Sequence, residues 1–199
     1  MKWQCLQLLA IRHAGCTLET HVQVSPGYEQ GTFTSWSGEL SETPEEMVIY
    51  VGERQDGQYH GQGKMTWPNG KVHDGSWANG KKSGQGTMTW PDGNVFSGGW
   101  QNGKKHGQGK LVFANGVVYD GSWVNSGLHG QGKMNSVNGD VYIGSWQDGK
   151  RLGQGKLFYG NGVVYDGSWV NNEQHGQGKK TWPNGNVYSG DWQHNKRAG

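Results

Sequence analysis

A motif that returns every 23 residues, without insertion, governs what this chain can fold into. Strings of the YDGSW type begin at Tyr50, His73, Phe96, Tyr119, Tyr142, Tyr165 and Tyr188. The unit reads Y-x-G-x-W-x-N-G-K-x-x-G-Q-G-K-M-T-W-P-N-G-x-V. Six complete units run from 50 to 187, and a partial one ends at Gly199. A phase held this strictly marks a repeat architecture, in which each unit buries its apolar side on its neighbours.

Composition narrows the choice of unit. With 37 glycines in 199 residues and 32% hydrophobic residues, the chain cannot fill a large aliphatic core. The 11 Trp and 8 Tyr argue against disorder, which is poor in aromatics. After residue 50 glycine recurs too often for helical runs to survive. A thin, turn-rich β structure is what remains. A net charge of +2 falls far short of the basic stripe of a nucleic-acid binder, so no nucleic acid is expected as a partner.

Each unit contains one evident hairpin. In residues 63–77 two alternating runs flank Pro68-Asn69-Gly70, and these types suit a type I turn followed by a left-handed glycine. A three-residue loop opposes Trp67 to Lys71, Met65 to His73, Gly63 to Gly75 and Lys64 to Asp74. The last pairing recurs as Lys110–Asp120 and Lys156–Asp166, a cross-strand ladder of opposite charge. A two-residue Asn-Gly loop would set lysine against glycine, and the first register is favoured. Period-2 alternation then puts Met65, Trp67, His73 and Trp77 on one face and Lys64, Thr66, Asp74 and Ser76 on the other. Trp77 falls opposite Gly61, where a missing side chain leaves room for the indole.

Residues 1–49 lack the period and are expected to form an N-terminal segment with a degenerate capping hairpin, ahead of the repeats at 50–199. Gly31 to Trp36 resembles a first strand, with Met47 to Gly52 as its partner across an acidic loop. Residues 1–16 loosely resemble a lipoprotein leader, but Gln4, Gln7, Arg12 and His13 interrupt the apolar run. Cys5 and Cys16 match no zinc or disulfide spacing, which favours a reducing compartment. No stretch approaches the ~20 apolar residues of a membrane-spanning helix.

The strings YDGSWVNSGLHGQGKM and YIGSWQDGKRLGQGKLFYGNG resemble MORN repeats, whose pattern is Y-x-G-x-W-x-x-G-x-x-x-G-x-G. The resemblance covers residues 50–199. Departures are local: Arg54 stands for Trp, His73 and Phe96 for Tyr, and Ser126 and Asn172 for the loop glycine, each expected to weaken its unit. The resemblance implies an all-β fold, an elongated single-layer antiparallel sheet of tandem hairpins with a shallow aromatic groove. It also implies a scaffold in cilia, cytoskeletal collars or membrane junctions, often dimeric, and for some members binding of acidic phospholipid.

Two surfaces emerge as candidate sites. The first is the aromatic face, with a row of Trp77, Trp100, Trp123, Trp146, Trp169 and Trp192 beside Tyr119, Tyr142, Tyr165 and Tyr188. A one-layer sheet has no other core, so these rings are expected to pack on one another. Whatever they leave exposed would anchor a helix or extended peptide. The second is a basic edge. Lys81-Lys82, Lys104-Lys105 and Lys150-Arg151 occupy one loop position, suited to anionic headgroups, and Lys196-Arg197 continues the series.

Metal, cofactor and catalysis are not expected. His60, His106, His129 and His175 recur at one position, but hairpins two strands (~10 Å) apart cannot share an ion with ~2 Å bonds. The G-x-G pairs open no helix, and a chemically uniform repeat offers a surface more than an active site. The favoured function is therefore a non-catalytic protein-binding scaffold, and the resemblance implies a cytoplasmic address at cytoskeleton, cilium or membrane periphery. The alternative is a peripheral module for anionic phospholipids. Strand 188–192 is expected to be an unpaired edge, through which two copies could pair.

Overall fold

The computed structural model describes residues 48–198. They form one open antiparallel sheet of 14 strands in which chain order is also spatial order. Strands pair off as β1 (Ile49–Gln55) with β2 (Gln58–Thr66), β3 (Val72–Ala78) with β4 (Lys81–Thr89), and β5 (Val95–Gln101) with β6 (Lys104–Val112). Next come β7 (Val118–Val124) with β8 (Gly127–Asn135) and β9 (Val141–Gln147) with β10 (Lys150–Phe158). The last are β11 (Val164–Val170) with β12 (Glu173–Thr181) and β13 (Val187–Gln193) with the short β14 (Lys196–Arg197). The 31–36 strand and the leader-like string lie outside the described residues.

The register is the one read from the Pro-Asn-Gly turn. Met65 opposes His73, Lys64 opposes Asp74 and Gly61 opposes Trp77. The Trp67 N–H donates to the Lys71 carbonyl at 2.9 Å, and the Asn69 side chain accepts from the Lys71 N–H at 3.1 Å. Lys110–Asp120 and Lys156–Asp166 are also paired positions. Of the three pairs, Lys156–Asp166 closes to an ion contact, at 3.1 Å. The other two are cross-strand neighbours without one.

Every repeat also holds a second hairpin, beyond the one that the alternation marks. Ala78 pairs with Lys81 across Asn79-Gly80, whose φ angles of 48° and 74° identify a two-residue type I′ turn. The lysines expected in a loop therefore begin a strand. Ser126 and Asn172 hold the same left-handed conformation as the loop glycine they replace, at φ 71° and 73°. Each also adds a bond that glycine could not make. Ser126 Oγ accepts from the Lys105 N–H at 3.1 Å, and Asn172 Oδ1 from the Arg151 N–H at 2.9 Å. Both tie one repeat to the one before it.

The glycines divide by task. Gly121 and Gly132 oppose each other beneath the Tyr119 ring, and a methyl group on Gly132 would overlap that phenol. Gly107, by contrast, has open space where a Cβ would be, but sits at φ 72° in the bulge between the repeat's two turns. The room-making role expected of Gly61 therefore belongs to the other pair. Gly61 holds a φ of 60°, so its requirement is conformational.

The far strand is not left unpaired along its whole length. Trp192 pairs with Arg197 and Gln193 with Lys196, and the Ala198 N–H donates to the Asp191 carbonyl at 2.9 Å.

Candidate binding groove

The core of this single layer lies on one face. From Trp77 to Trp192 the tryptophans alternate with the residues from His73 to Tyr188 in one edge-to-face series. Tyr119 meets Trp123 at 5.2 Å and Trp146 at 5.5 Å between centroids, and Tyr142 meets Trp146 at 5.1 Å and Trp169 at 5.3 Å. His73 and Phe96 hold the same place between their flanking tryptophans. Such pairs contribute about 0.5–1.5 kcal/mol each beyond the area they bury. Every indole N–H in the row has a partner: Trp77 donates to Gly63 O, Trp100 to Gly86 O and Trp123 to Gly109 O. Trp146, Trp169 and Trp192 repeat the bond to Gly132, Gly155 and Gly178. The tyrosine hydroxyls of Tyr119, Tyr142, Tyr165 and Tyr188 donate three residues ahead, to the carbonyls of Ser122, Ser145, Ser168 and Asp191. Burial pushes the phenols of Tyr119, Tyr142 and Tyr165 up to about 12.

These residues therefore make a core, with little surface left to offer. Trp123 and Trp169 are 2% exposed and Tyr119 and Tyr165 are 0% exposed, while Tyr188 is half-buried. The groove surface belongs to a second row, at the position before each Pro-Asn-Gly-type turn. Trp67, Trp90, Phe113, Tyr159 and Trp182 are half-buried there, and Ser136 breaks the series. The alternation already places several of them on the aromatic face. Their greater exposure follows from sitting at strand ends, where one neighbour is a turn.

The basic pairs split between two surfaces. Lys81, Lys104 and Lys150 are exposed beside the type I′ turns, as a basic edge requires. Lys82, Lys105 and Arg151 are half-buried on the groove face instead. Period-2 alternation continues through the second hairpin, so Lys82 opposes Trp77, Lys105 opposes Trp100 and Arg151 opposes Trp146. Each cation then lies over the indole of the following repeat. Lys82 is 4.2 Å from the Trp100 centroid, Lys105 4.2 Å from Trp123, and Arg151 4.4 Å from Trp169. Partly desolvated contacts of this kind give roughly 0.5–2 kcal/mol. Desolvation lowers the Lys82 ammonium to about 8, with Lys71 and Lys105 adding to the shift, and lowers Lys105 and Arg151 as well.

Three repeats depart from the cation pattern, the first with Tyr59 at this position, 5.4 Å from the Trp77 ring. Leu128 takes the cation's register position, opposite Trp123, and Gln174 is buried, its amide donating to the Tyr159 hydroxyl at 2.7 Å. Where Ser136 replaces an aromatic, a cavity of about 340 Å³ opens, lined by Met134, Ser136, Asp140, Tyr142, Arg151 and neighbours. Farther along, Lys180 and Arg197 approach the Trp182 ring at 5.9 and 5.3 Å.

Among solved structures, the chain is similar to the TCP10 domain of zebrafish (Danio rerio) CPAP, with 15% identity and a TM-score of 0.39 over 69% of this chain and 68% of that one. It is also similar to the TCP domain of Drosophila melanogaster SAS-4, solved with a proline-rich motif of Ana2, with 13% identity and a TM-score of 0.32 over 73% and 90%. Similarity of this extent is confined to strand architecture. A comparison with curated proteins gives no match. The MORN repeat model, in contrast, matches seven consecutive stretches: 50–72, 73–95, 96–118, 119–141, 142–164, 165–187 and 188–199. With three quarters of its length matched in unbroken phase, the chain belongs to the MORN-repeat family.

Proposed function

We propose that this protein is a non-catalytic scaffold that holds an extended segment of a partner protein in its aromatic groove. The observation that carries this reading is the unlike chemistry of the two faces. One face bears half-buried aromatics at regular spacing with cations between them, and the other bears Lys, Asp, Ser, Thr and Gln in cross-strand pairs. Partly exposed aromatics over a rigid, well-packed layer are what binding hot spots require. Membership of the MORN family favours a cytoplasmic site at the cytoskeleton, a cilium or the membrane periphery. The test is selection of binding peptides from a display library, followed by titration against Trp90→Ala/Phe113→Ala. Loss of most affinity with the far-ultraviolet spectrum retained supports the reading, and unchanged affinity refutes it.

The exposed row of Lys81, Lys104 and Lys150 favours a second reading, attachment to anionic lipid. Flotation with phosphatidylserine vesicles at low salt, abolished by charge reversal at these three positions, would support it. Failure to float would remove it.

A further inference from the structure

Lys82 and Lys105 form no ion pair among the described residues, and Arg151 has Asp140 near it without a direct one. Among the described residues the ion pairs are Lys156–Asp166 and His194–Glu173, and both involve exposed side chains away from Lys82, Lys105 and Arg151. Of the acids beside the groove, Asp92 accepts from the Asn94 N–H and Asp140, the one that acts on Arg151, from the Gly160 N–H. Half-buried cations without counter-charge are costly to hold, and a ligand carboxylate relieves that cost.

Spacing adds a second constraint. Equivalent residues of successive repeats are two strands apart, about 9.4–9.8 Å. A polyproline II chain has three residues per turn and rises ~3.1 Å per residue, so one turn is ~9.3 Å. A β-strand covers a similar distance in three residues, but its side chains alternate and every third one faces away. Only the threefold chain returns the same face to each repeat.

Resting on the scaffold reading above, we propose that the groove binds an acidic segment in polyproline II conformation, one turn per repeat. Its acids fall three residues apart, opposite Lys82 and Lys105. Three residues farther, Leu128, which stands at the cation's register position, calls for an apolar side chain. Another three residues on, Arg151 takes a further acid. The burial-lowered Lys82 and Lys105 agree with this, because an adjacent carboxylate would raise them again.

The experiment is fluorescence anisotropy of the full chain with three labelled peptides at several salt concentrations. One is EPPEPPLPPE, one has lysine for each glutamate, and one has the same composition with its glutamates on alternate residues. The first is expected to bind at least about tenfold tighter than either other, with the advantage shrinking as salt rises. Lys82→Leu/Lys105→Leu, which copies Leu128 at the equivalent position, should remove that preference while melting cooperatively. Equal binding by the respaced peptide would overturn the proposal. So would absence of peptide binding accompanied by anionic-vesicle binding that Lys82→Leu/Lys105→Leu abolishes. If all three peptides fail while library-selected sequences still need Trp90 and Phe113, this proposal falls and the scaffold reading stands.

Discussion

The indole N–H of Trp123 donates to the carbonyl of Gly109 at 2.8 Å, fourteen residues back along the chain. Gly109 pairs with Gly121, and a methyl group on Gly109 would overlap the Phe96 ring. One bond thus links the tryptophan of one repeat to the glycine bed of the preceding one. It recurs from Trp77 to Trp192, and it explains why so few aliphatic residues suffice.

Truncation should therefore separate core from groove. Trp123→Ala removes a buried ring between Phe96 and Tyr119 and is expected to cost about 3–5 kcal/mol. Phe113→Ala, at the half-buried rim, is expected to cost well under half of that. Urea denaturation of both variants measures the difference. Trp123 and Tyr142 are thus poor choices for probing binding, since losing either would disturb folding first.

The two glycine tasks give a matched pair. Gly132→Ala is expected to destabilise by several kcal/mol, because the methyl group would overlap the buried Tyr119 ring. Gly107→Ala meets open space and should cost only the ~1–2 kcal/mol of a left-handed L-residue. Semisynthesis with D-alanine at 107 should recover the loss, and thermal melts report all three.

His73 makes stability depend on pH. Its ring is fully buried between Trp77 and Trp100 with neither nitrogen hydrogen-bonded, and burial first, then Lys82, lowers it to about 4. The unfolded chain, with an ordinary histidine near 6.5, takes up the proton more readily. Stability is thus full above about pH 6.5 and falls as pH drops toward 4, by about 2 kcal/mol at pH 5. His73→Phe, which copies Phe96 at the equivalent position, should flatten this slope, as read from urea midpoints at pH 5 and pH 8.

Much of this is legible in the sequence, and what is not has a physical pattern. The Pro-Asn-Gly turn determines the pairing of Met65 with His73, because a three-residue loop allows one register. The Asn79-Gly80 turn is legible too, since Asn-Gly is a strong signal for a two-residue hairpin, but a reading that stops at one hairpin per repeat misses it. Counting alternation through it moves Lys82 from an edge into the groove. Its stacking partner is harder to find. Trp100 belongs to the next repeat and comes near only when the following strand, β5, folds alongside β4. Burial of the tryptophan row follows from composition, whereas the exposure of Trp90 and Phe113 depends on how strand ends project.

Asn172 offers a local test of how repeats are joined. Asn172→Ala removes the bond to the Arg151 N–H and puts a residue without a local hydrogen-bonding side chain at φ 73°, so a loss of about 1–2 kcal/mol is expected. Asn172→Gly relieves the backbone and should lose less. Native-state hydrogen exchange at the Arg151 amide should rise in both variants.

In the proposed scaffold, partners contact the groove face. Photo-crosslinking with benzoylphenylalanine in place of Phe113, or of Ile143 on the polar face, tests it most directly, using a fluorescent peptide selected for binding. An adduct from position 113, competed by unlabelled peptide, is expected, with little from 143. Crosslinking from 143 with none from 113 would contradict it.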